Sequence, residues 1–132
     1  MRRCAIAPRA DWRSRVERSG LVFHTAAETG VYWGEGTYYE LTAAEADAIE
    51  AATRELHARC VDAVRHVIEH RRYAELGLSA LAIELVEHSW RAQPPSLYGR
   101  FDLALGDGVP KMLEYNADTP TSLLEAGVIQ WQ

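Results

Sequence analysis

Apolar residues in the middle of the chain recur every three or four positions, which is the spacing of one helix face. The repeating positions are Ile49, Thr53, Leu56, Cys60, Val64 and Val67. Thr42 followed three residues later by Glu45 has the sequence of a capping box, which marks the beginning of a helix. We therefore predict a helix from Ala43 to about His70.

A second helix is predicted after Gly77, where Ser79 is placed to cap a helix that runs to Arg91. Pro94–Pro95 ends this helix, because the residue before a proline avoids helical backbone. The positions expected to face inward are Leu81, Val86 and Trp90.

The N-terminal segment predicts a strand, a helix and a second strand. Cys4–Ala7 and Leu21–His24 are short apolar runs, and Asp11 is placed to cap a helix over Trp12–Ser19, which Gly20 stops. This order predicts two parallel strands joined by a crossover helix. The expected fold class is therefore α/β, with a short parallel sheet.

The following segment, Thr25–Leu41, is predicted to be an irregular loop with a short extended piece. Its glycines are interspersed with four aromatic residues: Tyr32, Trp33, Tyr38 and Tyr39. These rings either form a minor core or provide a stacking surface for a substrate. We favour the core, because aromatic side chains in loops more often pack against the protein.

Polar and apolar residues alternate in two segments joined by Asp107–Gly108, which predicts a β-hairpin. In Tyr98–Leu105, Arg100 and Asp102 share one face. In the second strand, Met112, Glu114 and Asn116 share a face, and the other face holds Lys111, Leu113 and Tyr115.

The register of the hairpin decides whether its two polar faces coincide. A three- or five-residue loop places Asp102 and Glu114 on the same side, whereas a four-residue loop places them on opposite sides. The turn sequence does not fix the loop length. We predict the first register, because it gathers Arg100, Asp102, Glu114 and Asn116 into one patch.

Such a patch has two interpretations. Two carboxylates and an amide oxygen are hard ligands of the kind that hold Mg²⁺ beside nucleotide phosphates, and an arginine can clamp a phosphoryl group as it is transferred. Alternatively, the patch is a surface hairpin with a cross-strand ion pair. The spacing alone leaves the two interpretations level.

The residues after Asn116 predict the N-terminus of a further helix, which continues over Leu123–Gln132. Thr119 is placed as its N-cap and Pro120 as its first residue. Free backbone N–H groups there, with the hydroxyls of Thr119, Thr121 and Ser122, predict a site for a carboxylate or phosphate. An ordinary capped helix is the alternative, although capping alone does not require three hydroxyls.

Composition and charge narrow the class of protein. The 132 residues suffice for one domain, and 48% apolar with 25% charged residues predicts a globular chain. A net charge of −5 disfavours general nucleic-acid or anionic-membrane binding, and no apolar run is long enough for a membrane span. Cys4 and Cys60 lie far apart without a CxxC partner, which predicts reduced thiols in a cytoplasmic protein.

The chain resembles the glutathionylspermidine synthase family, the ATP-grasp-type amide synthetases. The likeness rests on SLYGRFDLAL, KMLEYNADTPTSLLEA and VIQWQ, with further similarity in RRCAIAPRADW and WGEGTYYELT. It covers essentially the whole chain. The resemblance implies a pre-ATP-grasp-like α/β domain over residues 1–97, followed over residues 98–132 by the hairpin and helix start of the catalytic region.

The resemblance also implies roles for the polar residues of the hairpin. Arg100 would assist at the transferring phosphate of ATP, and a magnesium ion would be held by Asp102, Glu114 and Asn116. Hydroxyl residues after the hairpin contact the acid substrate in such synthetases, and the positions here are Thr119, Thr121 and Ser122. Pro120 between them departs from the family pattern and leaves the acid unidentified.

The implied reaction joins a small-molecule acid, glutathione-like in the best-known members, to a polyamine-like amine through an acyl phosphate. Members of the family are several times longer than this chain, and the lobes that hold adenine follow the segment seen here. We therefore expect the N-terminal portion of such a ligase, inactive alone. The alternatives are a stand-alone binding or interaction module that has lost catalysis and, more weakly, a metal-dependent hydrolase using Asp102 and Glu114.

Overall fold

The computed structural model describes residues 1–28, 30–106 and 108–132, and within these ranges the chain forms four α-helices and three two-stranded antiparallel sheets. The strands are β1 (Arg2–Ala5), β2 (Thr25–Ala26), β3 (Gly30–Val31), β4 (Thr37–Glu40), β5 (Arg100–Leu105) and β6 (Pro110–Asn116). The α-helices are α1 (Trp12–Arg18), α2 (Ala43–Glu69), α3 (Ala80–Ala92) and α4 (Leu123–Gly127), and short 3-10 helices span Arg72–Leu76 and Ile129–Trp131. None of the helices in the described ranges has both the length and the apolar character needed to cross a bilayer.

The mixed α/β class is confirmed, but the predicted parallel sheet is wrong. β1 pairs with β4 in antiparallel register, with Cys4 opposite Tyr38. Leu21–His24 is not a strand, because its backbone groups bond locally. The amide of Leu21 donates to the carbonyl of Val16, and the carbonyl of His24 accepts from the amides at positions 32 and 33. The segment therefore folds back as a turn after α1.

The long helix α2 and its capping box are confirmed. The Thr42 hydroxyl accepts from the amide of Glu45 at 3.2 Å, and the Glu45 carboxylate accepts from the amide of Thr42 at 2.8 Å. These two bonds satisfy N–H groups that the start of a helix otherwise leaves unpaired. None of its 27 residues is fully buried, so α2 lies along the surface with one half-buried face.

The helix α3 is confirmed, with its cap: the Ser79 hydroxyl accepts from the amide of Ala82 at 3.2 Å. Val86 and Trp90 are half-buried as predicted. The inward orientation predicted for Leu81 is wrong, because this side chain is 66% exposed. It lies in the first turn, where no other element covers it.

The buried core is small and lies between the two ends of the chain. Val16, Leu21 and Ile129 are fully buried. The side chains that pack against them are Trp12, Trp33 and Leu124. Trp33 thus belongs to the core, as favoured for the aromatic loop, whereas Tyr32, Tyr38 and Tyr39 remain about half exposed. The packing of Leu124 and Ile129 places the segment after β6 against α1.

Candidate functional site

The hairpin β5–β6 combines both of the registers considered from the sequence. At its closed end Leu105 pairs with Pro110, which leaves the four residues 106–109 between the strands. Further along, Asp102 pairs with Glu114 and Arg100 pairs with Asn116. The register shifts between Asp102 and Leu103, so one strand carries an extra residue there. The predicted turn residue Asp107 lies outside the described residues.

The extra residue is Leu113, since Met112 pairs with Leu103 and Glu114 pairs with Asp102. This bulge confirms the prediction that Arg100, Asp102, Glu114 and Asn116 share one face. It also makes the predicted faces of two residues wrong. Met112 moves to the opposite face with Leu103, and Lys111, opposite Ala104, moves to the polar face. We call the face that carries Arg100, Asp102, Glu114 and Asn116 the polar face of the hairpin.

Arg100 is the centre of the contacts on the polar face. Its Nε donates to Asp102 Oδ1 at 2.8 Å and its Nη2 donates to Oδ2 at 3.2 Å, a two-point contact between guanidinium and carboxylate. Its Nη1 donates to Thr121 Oγ1 at 2.6 Å. Arg100 therefore joins the hairpin to the segment that follows it.

The amide of Asn116 links the remaining two groups. Oriented so that its oxygen faces Arg100 and its nitrogen faces Glu114, the amide accepts from Arg100 Nη2 at 3.0 Å and donates to Glu114 Oε1 at 3.2 Å. The alternative orientation leaves acceptors facing acceptors. All four predicted residues are thus connected in one network.

The hydrogen bonds of the network shift the pKa values of Arg100 and Asp102. The hydrogen bonds from Arg100 lower the pKa of Asp102, so this carboxylate stays ionised well into the acidic range. The pKa of Arg100 is raised, first by the bond to Asp102 and also by the negative charges of Asp102 and Glu114. A fixed cation therefore lies beside two carboxylates, on side chains of Arg100 and Asp102 that are 30% and 39% exposed.

The hydroxyl residues after the hairpin are not the start of a helix, so the predicted N-cap at Thr119 is wrong. The helix α4 begins at Leu123, and the Thr119 amide instead donates to the carboxylate of its neighbour, Asp118 Oδ1, at 2.8 Å. Thr121 is held against the hairpin, because Tyr98 donates to its carbonyl at 3.1 Å and Arg100 donates to its hydroxyl. A helix can form only beyond this anchored residue.

The C-terminal helix is also shorter than predicted. The helix α4 has five residues, and Ser122 before it has a left-handed backbone with φ of 75°. A separate 3-10 helix, Ile129–Trp131, follows. The predicted anion site at a helix N-terminus therefore lacks its helix. Of the three hydroxyls, Thr121 is the one that bonds to the polar face, and Ser122 lies next to it.

Two residues that the sequence did not identify lie behind this segment. Glu125 is 7% exposed, and its Oε1 accepts from the Tyr32 hydroxyl at 2.7 Å. The pKa of Tyr32 is raised, first by this bond and then by burial. The two residues are 93 positions apart, so no local pattern predicts their contact.

The opposite face of the hairpin packs on the scaffold. The Tyr115 ring stacks on Phe101 with centroids 3.9 Å apart, and its hydroxyl lies 2.9 Å from His57 Nδ1 on α2. A Cβ at Gly99 would lie 2.8 Å from the Tyr115 ring, so glycine is needed there for the close approach of the ring. These contacts fix the orientation of the strand that carries Arg100.

The polar face offers donors that suit Mg²⁺, because carboxylate and amide oxygens are its preferred protein ligands. Asp102 and Glu114 are direct cross-strand neighbours, with Asn116 one alternate position along β6. In the described ranges, no three His, Cys, Asp or Glu side chains are grouped as a metal site. A third protein ligand here would therefore be the Asn116 amide oxygen.

Comparisons with known proteins point to one family. The family described as "Glutathionylspermidine synthase preATP-grasp" matches residues 3–132. A Haemophilus influenzae protein named "Putative acid--amine ligase" is 50% identical over 101 residues, which cover 76% of this chain and 26% of that protein. The trypanothione synthetase of Crithidia fasciculata is 45% identical over 47 residues, or 34% of this chain and 7% of that protein. The chain thus aligns with about a quarter of the first relative and less of the second.

Proposed function

The chain belongs to the glutathionylspermidine synthase pre-ATP-grasp family, and we propose that it is the N-terminal portion of an ATP-dependent carbon–nitrogen ligase. The reaction joins a carboxylate to an amine. The carboxylate oxygen attacks the γ-phosphorus of ATP and the bond to ADP breaks, which gives an acyl phosphate. The amine nitrogen then attacks the acyl carbon, inorganic phosphate leaves, and the amine proton passes to solvent.

The observation that carries the proposal is the register of the hairpin at Asp102–Glu114. The bulge at Leu113 places both carboxylates, Arg100 and Asn116 on one face. A surface hairpin with a single ion pair does not need a bulge that brings four polar side chains onto one face. The contact of Arg100 with Thr121 adds a hydroxyl from outside the hairpin to the same group.

Arg100 is the proposed catalytic residue. Its guanidinium is fixed in the charged state and already makes contacts with three neighbouring side chains, Asp102, Asn116 and Thr121. A guanidinium with several donors in one plane suits the equatorial oxygens of a phosphoryl group. In this role Arg100 both binds the ATP phosphate and stabilises the charge that develops during transfer.

The proposed magnesium ligands are Asp102, Glu114 and Asn116. These three residues would hold the ion, which would supply positive charge that offsets the charge of the phosphate groups. Both Asp102 oxygens accept from Arg100 and the Asn116 oxygen faces Arg100. A carboxylate has about four lone-pair sites, so Asp102 can retain a bond to Arg100 and still offer an oxygen to the ion.

The proposed acid-binding residues are Thr119, Thr121 and Ser122. Hydroxyls beside the Arg100 guanidinium can orient a carboxylate next to the phosphate that it attacks. By likeness to the family, the acid is glutathione-like and the amine polyamine-like. We further propose that residues 1–97 form the scaffold and 98–132 the site-bearing segment, in a cytoplasmic protein.

The first experiment is to map the coding sequence around this chain and to express the complete product. We expect it to contain nucleotide-binding lobes and to release ADP and phosphate only when an acid and an amine are both present. Arg100→Ala and Glu114→Gln should each abolish ligation and leave the circular dichroism spectrum unchanged.

Matched controls are Arg59→Ala and Glu55→Gln, which change an exposed ion pair on α2. They should keep wild-type ligation. Product formation at the wild-type rate by Arg100→Ala or Glu114→Gln would overturn the assignment of the site. A complete coding sequence that ends with this chain would favour the alternative, a binding or interaction module without catalysis.

A further inference from the structure

Glu125 is a buried carboxylate that takes no part in the proposed reaction. It is 7% exposed, although it lies on a five-residue helix at the surface. Burial of a carboxylate is costly unless it is hydrogen-bonded. Its bond from Tyr32, at 2.7 Å, meets this need and ties α4 to the segment between β3 and β4.

The Tyr32–Glu125 bond lies close along the chain to the contact of Arg100 with Thr121. Glu125 lies on α4, three residues after Ser122, so the bond from Tyr32 holds the start of α4 against the segment between β3 and β4. Ser122 has a left-handed backbone that a non-glycine residue seldom adopts without support from its surroundings. Its neighbour Thr121 accepts from Arg100. The turn at Thr121–Ser122 is therefore held at one end by Arg100 and at the other by the bonded Glu125.

We propose that Tyr32 and Glu125 are positioning residues, which hold the turn at Thr121–Ser122 so that the Thr121 hydroxyl meets the Arg100 guanidinium. Ser122 alone cannot fix the turn, because α4 begins only after it and its own side chain makes no capping bond. The inference deepens the proposed function and rests on it, since Arg100 is the group proposed to meet the phosphate. Neither Tyr32 nor Glu125 touches the reacting atoms.

The test uses the 132-residue chain without nucleotide, with the Arg100 Nη1–H signal followed by nuclear magnetic resonance, because Nη1 donates to Thr121. Thr121→Val removes the hydroxyl directly and defines the signal of Arg100 without its Thr121 contact. Tyr32→Phe should move the signal to the same position and raise amide exchange about tenfold at Ala126, whose N–H donates to the carbonyl of Ser122, as expected for loss of a hydrogen bond to a charged group. Tyr39→Phe is the matched control, because Tyr39 is an exposed tyrosine on β4, and its signal should match the wild type.

A second pair of variants separates positioning from general stability. Glu125→Gln keeps an oxygen that can accept from Tyr32 and should retain the wild-type Arg100 signal, whereas Glu125→Leu should behave like Tyr32→Phe. If Tyr32→Phe does not fold, Glu125→Leu removes the same bond from its other partner and should give the displaced signal. A wild-type Arg100 signal in a folded Tyr32→Phe or Glu125→Leu variant overturns the inference.

Kinetics of the complete product distinguish this inference from the proposed function. Tyr32→Phe should lower kcat and leave KM for the amine unchanged, because it disturbs the phosphate-binding group and not the amine site. If the wild type shows no ligation but the Arg100 signal still moves in Tyr32→Phe, the proposed function fails and the positioning role stands. If ligation is present and unaffected by Tyr32→Phe, the positioning role fails alone.

Discussion

Asp102 and Glu114 lie directly opposite each other across β5 and β6, two carboxylates in one cross-strand pair. Like charges in this arrangement destabilise a hairpin. Arg100, two residues before Asp102, compensates by donating to both Asp102 oxygens, and Asn116 donates to Glu114. The hairpin thus concentrates negative charge at one point, where the Arg100 guanidinium compensates it.

The first prediction is that Mg²⁺ stabilises Arg100→Ala more than it stabilises the wild type. Without the guanidinium, Asp102 faces Glu114 without its bonds from Arg100, and both Asp102 oxygens lose the donor that occupies them. We expect millimolar Mg²⁺ to raise the Tm of Arg100→Ala by about 2–5 °C, with a smaller rise in the wild type. Thermal unfolding followed by circular dichroism measures this difference.

The control for this prediction is Arg59→Ala, which removes an exposed arginine from α2 and should respond to Mg²⁺ like the wild type. Adding Glu114→Gln to Arg100→Ala should remove the extra response, because one of the two facing carboxylates is lost. The same rise in Tm for wild type and Arg100→Ala would argue against a metal site at this pair.

The second prediction concerns Gly99, the residue before the catalytic candidate. Gly99→Ala places a methyl group 2.8 Å from the Tyr115 ring, which is itself held by Phe101 and His57. Because the ring cannot move freely, we expect a loss of about 1–3 kcal/mol in the free energy of unfolding, typical of overpacking. Urea titration of both proteins measures it.

Gly34→Ala is the matched control, since a Cβ there meets nothing within 4 Å. In a Tyr115→Val background, Gly99→Ala should cost little, because the ring that it strikes is absent. A full cost in that background would show that the backbone at position 99, and not the ring, demands glycine.

The sequence predicted those elements whose signals are local. Thr42 and Glu45 lie three residues apart and form their capping box, and Ser79 caps α3 with a single bond to Ala82. The alternation around Asp102 predicted the hairpin, but the register that brings its polar residues onto one face comes from a bulge and not from the three- or five-residue loop that we expected. At both caps the residues that make the structure are close in sequence, so their pattern determines the outcome.

Other features depended on contacts between distant residues. Leu21–His24 has the composition of a strand. Its backbone groups instead form hydrogen bonds with α1 and with positions 32 and 33. Thr119 and Pro120 have the sequence of a helix start. Arg100 and Tyr98, however, hold Thr121 against the hairpin, and the helix begins only at Leu123. The bulge at Leu113 lies in an alternating strand that carries no glycine to mark it.

The third prediction concerns the pH dependence of stability, through the ion pair Arg9–Glu35. The Glu35 side chain is 9% exposed and accepts from Arg9 at 2.6 and 2.9 Å and from the Trp33 indole at 3.0 Å. The bonds from Arg9, helped by that from Trp33, lower its pKa in the folded protein. A carboxylate with a lowered folded pKa stabilises the fold above its unfolded pKa, and this contribution is lost as the pH falls through the folded pKa.

We therefore expect Glu35→Gln to reduce the free energy of unfolding by about 1.5–3 kcal/mol at pH 7, as for lost hydrogen bonds to a charged group. The difference from wild type should shrink as the pH falls below about 4.5, the ordinary value for a glutamate. Urea titrations of both proteins at several pH values give this difference directly. The contributions of the other carboxylates are the same in both proteins and cancel.

Glu55→Gln, on an exposed pair, should change stability by less than about 1 kcal/mol at every pH. A Glu35→Gln deficit that does not change with pH would exclude the lowered pKa as its source.

The last prediction is that the 132-residue chain binds MgATP weakly or not at all. Micromolar affinity corresponds to about 8.2 kcal/mol of binding free energy. The Arg100 and Asp102 side chains are 30% and 39% exposed, and exposed charge pairs contribute only about 0.2–1 kcal/mol each. Even with every residue of the polar face in contact, the total falls well short of that value. Isothermal titration calorimetry with MgATP should therefore show no saturation at micromolar concentrations, and the complete product of the coding sequence, measured in parallel, should bind. Micromolar binding by the chain alone would mean that it holds the nucleotide with surfaces beyond the polar face.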